Sequence, residues 1–340
     1  MKERKIKCVV WDLDNTLWKG VLQEDDKVIL QQEAVEVIKE LDKRGILQSV
    51  SSKNNYELAK RKLEEFDLWN YFIYPQINWN PKSEAIETIA KSINIGIDSL
   101  AFVDDQKFER DEVSYFHHDI LCIDASQIEK IPSMDPMKPK YITMDSKNRR
   151  LMYQTDIVRN NVERDFKGTK EEFLKTLHMT FYISKAKEED LQRAEELTVR
   201  THQLNSTGYI YSYDELKACI EDEKYEVLVT RLEDKYGTYG TIGLGLIEKG
   251  EKVWQVKLLL MSCRVMSRGV GSILLNYICN EAKKAGVKLQ AQFVPTDKNR
   301  IMYITYKFNG FKEIKGEDSI VFEADTDYER KIPDYVELAI

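Results

Sequence analysis

The sequence contains no run of about 18 uncharged apolar residues, so no membrane-spanning helix is expected. Its five cysteines, Cys8, Cys122, Cys219, Cys263 and Cys279, are scattered and form no C-x-x-C pair. That spacing argues against a disulfide framework or a thiolate zinc site and points to a reducing, cytoplasmic compartment. An excess of positive charge is also missing. With 51 Lys and Arg against 58 Asp and Glu, the net charge of −7 provides no field to gather a nucleic-acid backbone or an anionic membrane, so neither is expected as a partner. There is no repeat or low-complexity tract. The first apolar stretch, CVVW, is cut short by Asp12, which is a strand pattern rather than a secretory segment.

What is present suffices for two cores. A length of 340 residues is about twice that of a typical domain, and 42% of the residues are hydrophobic. Strand and helix patterns alternate at the start: an apolar strand to Val10, a helix with Ala34, Val35, Ile38 and Leu41 on one face, then strands around Ile46–Val50, Phe72–Ile73, Leu100–Val103 and Ile120–Ile123. This succession predicts a doubly wound parallel sheet with helices on both faces. The segment IPSMDPMKP packs three of the seven prolines into nine residues and reads as a domain boundary. The expected division is a first domain over 1–135, a linker and connecting helix over 136–178, and a second α/β domain over 179–340, whose last strand is expected near Ser319–Glu323.

Asp12 and Asp14, in VVWDLDNTLW, follow the first strand at its carboxyl end, where open α/β sheets bind ligands. Two carboxylates so spaced can converge on one cation. Ser51 or Ser52 ends a second strand, Lys82 opens a helix in NWNPKSEA, and Asp104 and Asp105 end a third strand in LAFVDDQKF. A hydroxyl, an ammonium at a helix N-terminus and further carboxylates are what phosphoryl transfer with Mg²⁺ requires. Each piece alone could be a turn, a cap or a solvated side chain; their order is what gives them meaning.

In the second half, KVWQVKLLLMSCRVMSRGVGSILLNYICNEAKKAG reads as strand, glycine turn and helix, with the amides around Gly269 and Gly271 free to approach a phosphate. Four of the cysteines lie inside apolar strands or helices. Cys263 instead follows a strand end beside Arg264 and Arg268, where positive charge and a helix N-terminus would favour a thiolate, although a packing cysteine fits the same pattern. His202, in RTHQLNSTG, is the histidine best placed as a base, the alternative being a helix end followed by a loop. His117, His118 and His178 read as surface or linker residues.

These motifs carry resemblances. DLDNT, the strand-end serine, NPK and VDD resemble the four motifs of the haloacid dehalogenase (HAD) superfamily. The resemblance implies Asp12 as nucleophile, Asp14 as acid/base, Ser52 and Lys82 as phosphate holders, and Asp12, Asp14, Asp104 and Asp105 around Mg²⁺. The short intervals between motifs leave no room for a separate cap domain. The SCRVMSRGVG segment and DKNRIMYITYKFNGF resemble GCN5-related N-acetyltransferases (GNATs), implying that Asn299 and Tyr306 face the thiol end of an acyl cofactor; Met266 stands where that family has Gln or Arg. Taken together, DNTLWKGVL, INWNPKS, VDDQKFER, RTHQ and MSCRV are similar over nearly the whole chain to FkbH-like proteins. That similarity implies a glyceryltransferase/phosphatase of polyketide pathways: 1,3-bisphosphoglycerate as donor, a thioester on a protein thiol, loss of the 3-phosphate, and transfer to the phosphopantetheine arm of an acyl carrier protein. Arg149, Arg150, Arg264 and Arg268 would be candidates for a carrier-docking patch. The alternative is a phosphatase/acyltransferase acting on a nucleotide sugar or surface polysaccharide.

Overall fold

The computed structural model describes residues 5–314, 320–325 and 329–340, and the chain divides into two compact units, 1–157 and 158–340. The first unit runs β1 (Cys8–Trp11), a small hairpin of β2 (Trp18–Lys19) and β3 (Ile29–Leu30), α1 (Gln32–Lys43), β4 (Leu47–Ser52), α2 (Tyr56–Glu65), β5 (Gln76–Ile77), α3 (Lys82–Ile93), β6 (Leu100–Asp104), α4 (Lys107–Phe116), β7 (Leu121–Asp124), α5 (Met144–Lys147) and α6 (Arg149–Asp165), within which the division falls. Its sheet has the order β5-β4-β1-β6-β7, every pair parallel.

Helices cover both faces, so every residue of β1 is buried. Val9, Trp11, Val50 and Val103 pack with α1 on one side, while Cys8, Val10, Leu47 and Phe102 pack with Ile86 and Ile89 of α3 on the other. Helix α1 buries the four residues its spacing singled out and stops at Gly45, whose φ of +73° and contact with the Ser146 carbonyl admit no side chain. The strand expected at Phe72–Ile73 is a single bridge from Phe72 to Gln48, and β5 lies four residues later.

The proline-rich segment is not a linker. Pro132 sits inside a 3-10 segment over Ala125–Ser133, Ile131 and Met137 join the α1 core, and Arg44 donates to the carbonyls of Pro132 (2.6 Å) and Met137 (3.2 Å). Proline ends an α-helix or a central strand, but it is compatible with a short turn that packs, and here the turn completes the first domain. The expected connector over 136–178 is likewise absorbed into the two units. Phe173 and Leu174 of α7 (Lys170–Thr176) belong to the core of the second.

The second unit continues with β8 (Met179–Lys185), α8 (Leu191–Arg200), α9 (Tyr213–Glu221), β9 (Tyr225–Asp234), β10 (Gly237–Lys249), β11 (Val253–Met261), α10 (Ile273–Lys284), β12 (Lys288–Phe293), α11 (Arg300–Phe308), β13 (Phe311–Ile314), β14 (Ile320–Ala324) and β15 (Val336–Ala339). Its mixed sheet has the order β13-β14-β12-β11-β10-β9-β8-β15, with parallel pairing at β11/β12 and β8/β15. The last expected strand corresponds to β14, Ser319 itself lying outside the described residues. Among the described residues, no helix is long and apolar enough to cross a membrane.

Candidate active site

Backbone register assembles the first site. The β1–β6 pairing of Trp11 with Val103 places Asp12 level with Asp104, and Asp12 N–H donates to the Val103 carbonyl at 2.9 Å. Pro81 precedes Lys82 and sets the start of α3. All three charged side chains are buried, and Lys82 Nζ donates to Asp12 Oδ1 at 2.7 Å and to Asp104 Oδ2 at 2.5 Å. Oxygens of Asp12, Asp104 and Asp105 lie within 4.8 Å of one another. Three carboxylates with one ammonium carry −3 + 1 = −2, and hard oxygen donors with that excess suit a divalent cation.

The electrostatics follow from the burial. Desolvation pushes the Asp12 carboxyl up to about 7; Lys82 works against this and Asp104 adds to it. Asp104 is raised for the same first reason. Burial alone would lower Lys82, but the two carboxylates outweigh it and its pKa rises, so the ammonium stays charged.

Asp14 stands outside the carboxylate group, although the sequence placed it among the metal ligands. Its Oδ1 accepts from the Trp18 indole N–H (2.7 Å) and the Leu22 amide (3.0 Å), and its Oδ2 from Asn54 Nδ2 (2.8 Å). The chain turns sharply at Asn15, φ +56°, directly after Asp14. Trp18 and Asn54 were not foreseen; the only sequence signal was their nearness to DLD and SSKN.

Register also separates the two serines. Because Val10 and Leu47 share the α3 face, alternation puts Ser51, level with Asp12, on the face of Lys82, and its buried hydroxyl has no hydrogen-bond partner. Ser52, the serine implied by the resemblance, is the last residue of β4, and its carbonyl accepts from Asn78 (3.1 Å). Arg110 supports Asp104 from behind by donating to its carbonyl at 2.7 Å.

In the second unit, Cys263 is half-buried and opens a 3-10 turn over Cys263–Arg268 directly after β11, while His202 is exposed beyond the end of α8. Burial raises the other four thiols, Cys122 to about 11 and Cys279 to about 12. The four arginines expected at a docking patch are each engaged within their own unit. Arg268 is buried and donates to Glu163 and Asn160 (2.7 Å each), Arg264 to the Tyr239 carbonyl, Arg149 to the Gly45 carbonyl, and Arg150 to Asp42 and the Asn70 carbonyl.

The glycine turn is partly covered, since the hydroxyl of Tyr335 lies against Gly269 and donates to its carbonyl (3.1 Å), whereas Gly271 faces open space. Asn299 and Tyr306, expected to face an acyl cofactor, are both fully buried. Tyr306 stacks against Phe322 and packs on Phe311, and burial drives its hydroxyl well above the ordinary value, opposed by the neighbouring Ser206 hydroxyl. A polar side chain so enclosed serves the core.

No family model matches the chain. Human magnesium-dependent phosphatase 1 is 28% identical over a match covering 34% of this chain and 76% of that protein. Among solved structures, the N-terminal part of the Bacteroides fragilis protein BF1531, containing a phosphatase domain complexed with Mg, is 33% identical over 37% of this chain and 38% of its own, with a TM-score of 0.33. The Escherichia coli ribosomal-protein-S18-alanine N-acetyltransferase is 18% identical over 43% of this chain and 93% of its own, with a TM-score of 0.35. The PaiA N-acetyltransferase of Thermoplasma acidophilum, solved with coenzyme A, is 17% identical over 43% and 98%, again with a TM-score of 0.35. The chain thus joins a parallel α/β unit, similar in part to magnesium-dependent phosphatase 1, to a second α/β unit built on a mixed sheet. The sheet of the first unit ends in the carboxylate site, and Cys263 lies two residues beyond the end of β11 in the second.

Proposed function

We propose that this protein is a Mg²⁺-dependent HAD-type phosphatase whose GNAT-like domain handles an acyl group as a thioester, in the manner of FkbH-like glyceryltransferase/phosphatases. The observation that carries the reading is the buried Asp12–Lys82–Asp104 arrangement with Asp105 beside it. The excess of two negative charges fits Mg²⁺, which Asp12, Asp104 and Asp105 would hold. Bound there, the ion offsets the charge that carboxylates and phosphate bring together.

The chain's own residues supply the rest. Lys82 and a β4 serine hold phosphate oxygens. The Asp12 carboxylate attacks phosphorus and the bond from phosphorus to the ester oxygen breaks; that oxygen takes its proton from Asp14, and water activated by Asp14 then frees inorganic phosphate from Asp12. In the second domain Cys263, with His202 as its base, takes the glyceryl unit from 1,3-bisphosphoglycerate. The HAD-like site removes the 3-phosphate, and the glyceryl group passes to the phosphopantetheine thiol of an acyl carrier protein. The motifs shared with FkbH-like proteins and the thiol at the end of β11 support this finer assignment.

Release of inorganic phosphate from p-nitrophenyl phosphate tests the phosphatase reading. It should require Mg²⁺, stop on chelation, and be lost in Asp12→Asn, which removes the nucleophile at constant volume. Turnover near the wild-type rate in either condition would overturn it.

A further inference from the structure

A second ion pair, Lys53 Nζ to Glu109 Oε1 at 2.7 Å, runs beside the Asp12–Lys82–Asp104 cluster. The sheet sets its place. Lys53 directly follows β4, and Glu109 lies in the first turn of α4, the helix after β6. Because β4 and β6 flank β1 and neighbouring strands lie about 4.8 Å apart, the pair reaches across the carboxyl end of β1, where Asp12 stands. It also lies on the same face. Glu109 and Val113, one turn apart, are the residues that α4 buries, and Val113 packs with Val10, Phe102 and the α3 residues Ile86 and Ile89. Alternation along β4, β1 and β6 puts Ser51, Asp12 and Asp104 on that face too.

At this end of the sheet Ser51, Asp12, Lys82 and Asp104 are at most 5% exposed, and two buried oxygens have no hydrogen-bond partner, Ser51 Oγ and Glu109 Oε2. A buried ion pair repays its desolvation only when its remaining lone pairs are satisfied, so a Glu109 carboxylate bonded through Oε1 alone makes an incomplete bridge, one that can exchange its cation. Lys82 has little left to offer a phosphate, since two of its three N–H donors go to Asp12 and Asp104. Lys53 is differently held. Its backbone is pinned on both sides: the Ser52 carbonyl accepts from the Asn78 amide (3.1 Å), Asn54 donates to Asp14 (2.8 Å), and Asn55 caps α2 by accepting from the Leu58 amide (3.1 Å). On that fixed base sits a side chain 36% exposed, a four-carbon arm whose ammonium swings by rotamer change with no backbone shift. Glu109 stays behind on α4, where a carboxylate in the first turn suits the helix dipole.

We propose that Lys53 is a second phosphate-holding cation, kept on Glu109 while the site is closed and passed to an oxygen of the incoming phosphate, so that the Lys53–Glu109 pair sets how readily the site takes a phosphate dianion. The inference rests on the phosphatase reading and adds a residue to it. Glu109 is then a positioning residue: it touches no substrate, and it acts by competing with phosphate for the Lys53 ammonium. Loading the site exchanges one charge-assisted hydrogen bond for another, from carboxylate to phosphate, and no covalent bond changes.

Titration calorimetry of the full chain with inorganic phosphate in the presence of Mg²⁺ tests this, because it reads binding without turnover. Lys53→Met should weaken phosphate binding about tenfold or more, the worth of one hydrogen bond to a charged group, whereas Lys53→Arg, which keeps the charge, should retain most of the affinity. Glu109→Gln, which loosens the hold on Lys53 at constant volume, should tighten phosphate binding by a similar factor, and the same change made in the Lys53→Met background should do nothing. A pair that only props the fold would lower Tm in both single variants and leave phosphate affinity alone, and a simple repulsion between Glu109 and phosphate would survive in the double variant. Unmoved affinities in the single variants, a Glu109→Gln gain that persists without Lys53, or no saturable phosphate binding to the wild type would each overturn the proposal. Phosphate binding that follows the expected ranking, with no hydrolysis of p-nitrophenyl phosphate, would refute the phosphatase reading and leave the role of Lys53 standing; hydrolysis with unmoved affinities would do the reverse.

Discussion

Lys82 Nζ lies 2.7 Å from Asp12 Oδ1, although 70 positions separate the two residues in the chain. The contact joins the carboxyl end of the central strand to the first turn of α3, and the same ammonium reaches Asp104 on the neighbouring strand. One cation thus faces three acidic side chains, and the imbalance governs how the site responds to pH and metal.

Without metal, Asp12 has a raised pKa, so the folded protein holds a proton that the unfolded chain has already lost between about pH 4 and 7. The contribution of Asp12 to stability therefore falls as pH rises through that window. Mg²⁺ binds the ionised form and should raise Tm more at pH 7.5, where a hundredfold excess over Kd stabilises by about 2.7 kcal/mol, than at pH 5. Scanning calorimetry with and without Mg²⁺ checks this. Equal gains at both pH values, or none, would contradict it.

The donors around Asp14 should matter for turnover. Asn54→Ala removes one of the three hydrogen bonds and Trp18→Phe another. A bond to a charged group is worth about 1.5–3 kcal/mol, so each variant should lose about tenfold or more in kcat, with KM changed less. Asp14→Asn should cost on the order of 10²–10⁴-fold. Steady-state phosphate release measures all three.

Ser51 and Ser52 make opposite predictions. If the unpartnered Ser51 hydroxyl on the Lys82 face holds phosphate, Ser51→Ala should raise KM for a phosphate ester several-fold or more, and Ser52→Ala should leave it nearly unchanged. The reverse ranking would return the role to the serine the motif comparison implies.

The positions of Asp12, Lys82, Asp104 and Asp105 were legible in the sequence because each follows a buried strand or opens a helix, and period-2 and period-3.6 patterns mark such ends clearly. What was not legible depends on long-range pairing. The three donors to Asp14 come from a two-residue hairpin strand, a loop amide and the residue pair after β4, none with a periodic signal. Residues Leu204–Ser206 read locally as a polar loop, and nothing in that segment announces its backbone bonds to Leu259 and Met261. For the same reason Asn299 looked like a ligand-facing residue: a sequence shows that a polar group follows a strand, but not which backbone it will bond. The proline-rich boundary failed because Pro132 and Pro136 supply carbonyls, not N–H groups, to the first domain, a role that proline is able to fill.

The most direct measurement is intact-protein mass after incubation with 1,3-bisphosphoglycerate and Mg²⁺. The wild type should gain a glyceryl-sized, hydroxylamine-labile mass located at Cys263. Asp12→Asn should instead accumulate the phosphoglyceryl form, heavier by one phosphoryl group, because the thiol still loads while the carboxylate site no longer removes the phosphate. Cys263→Ala should remain unmodified. An unmodified wild type, or an adduct of the same mass in wild type and Asp12→Asn, would contradict the assignment of acyl capture to the second domain and phosphate removal to the first.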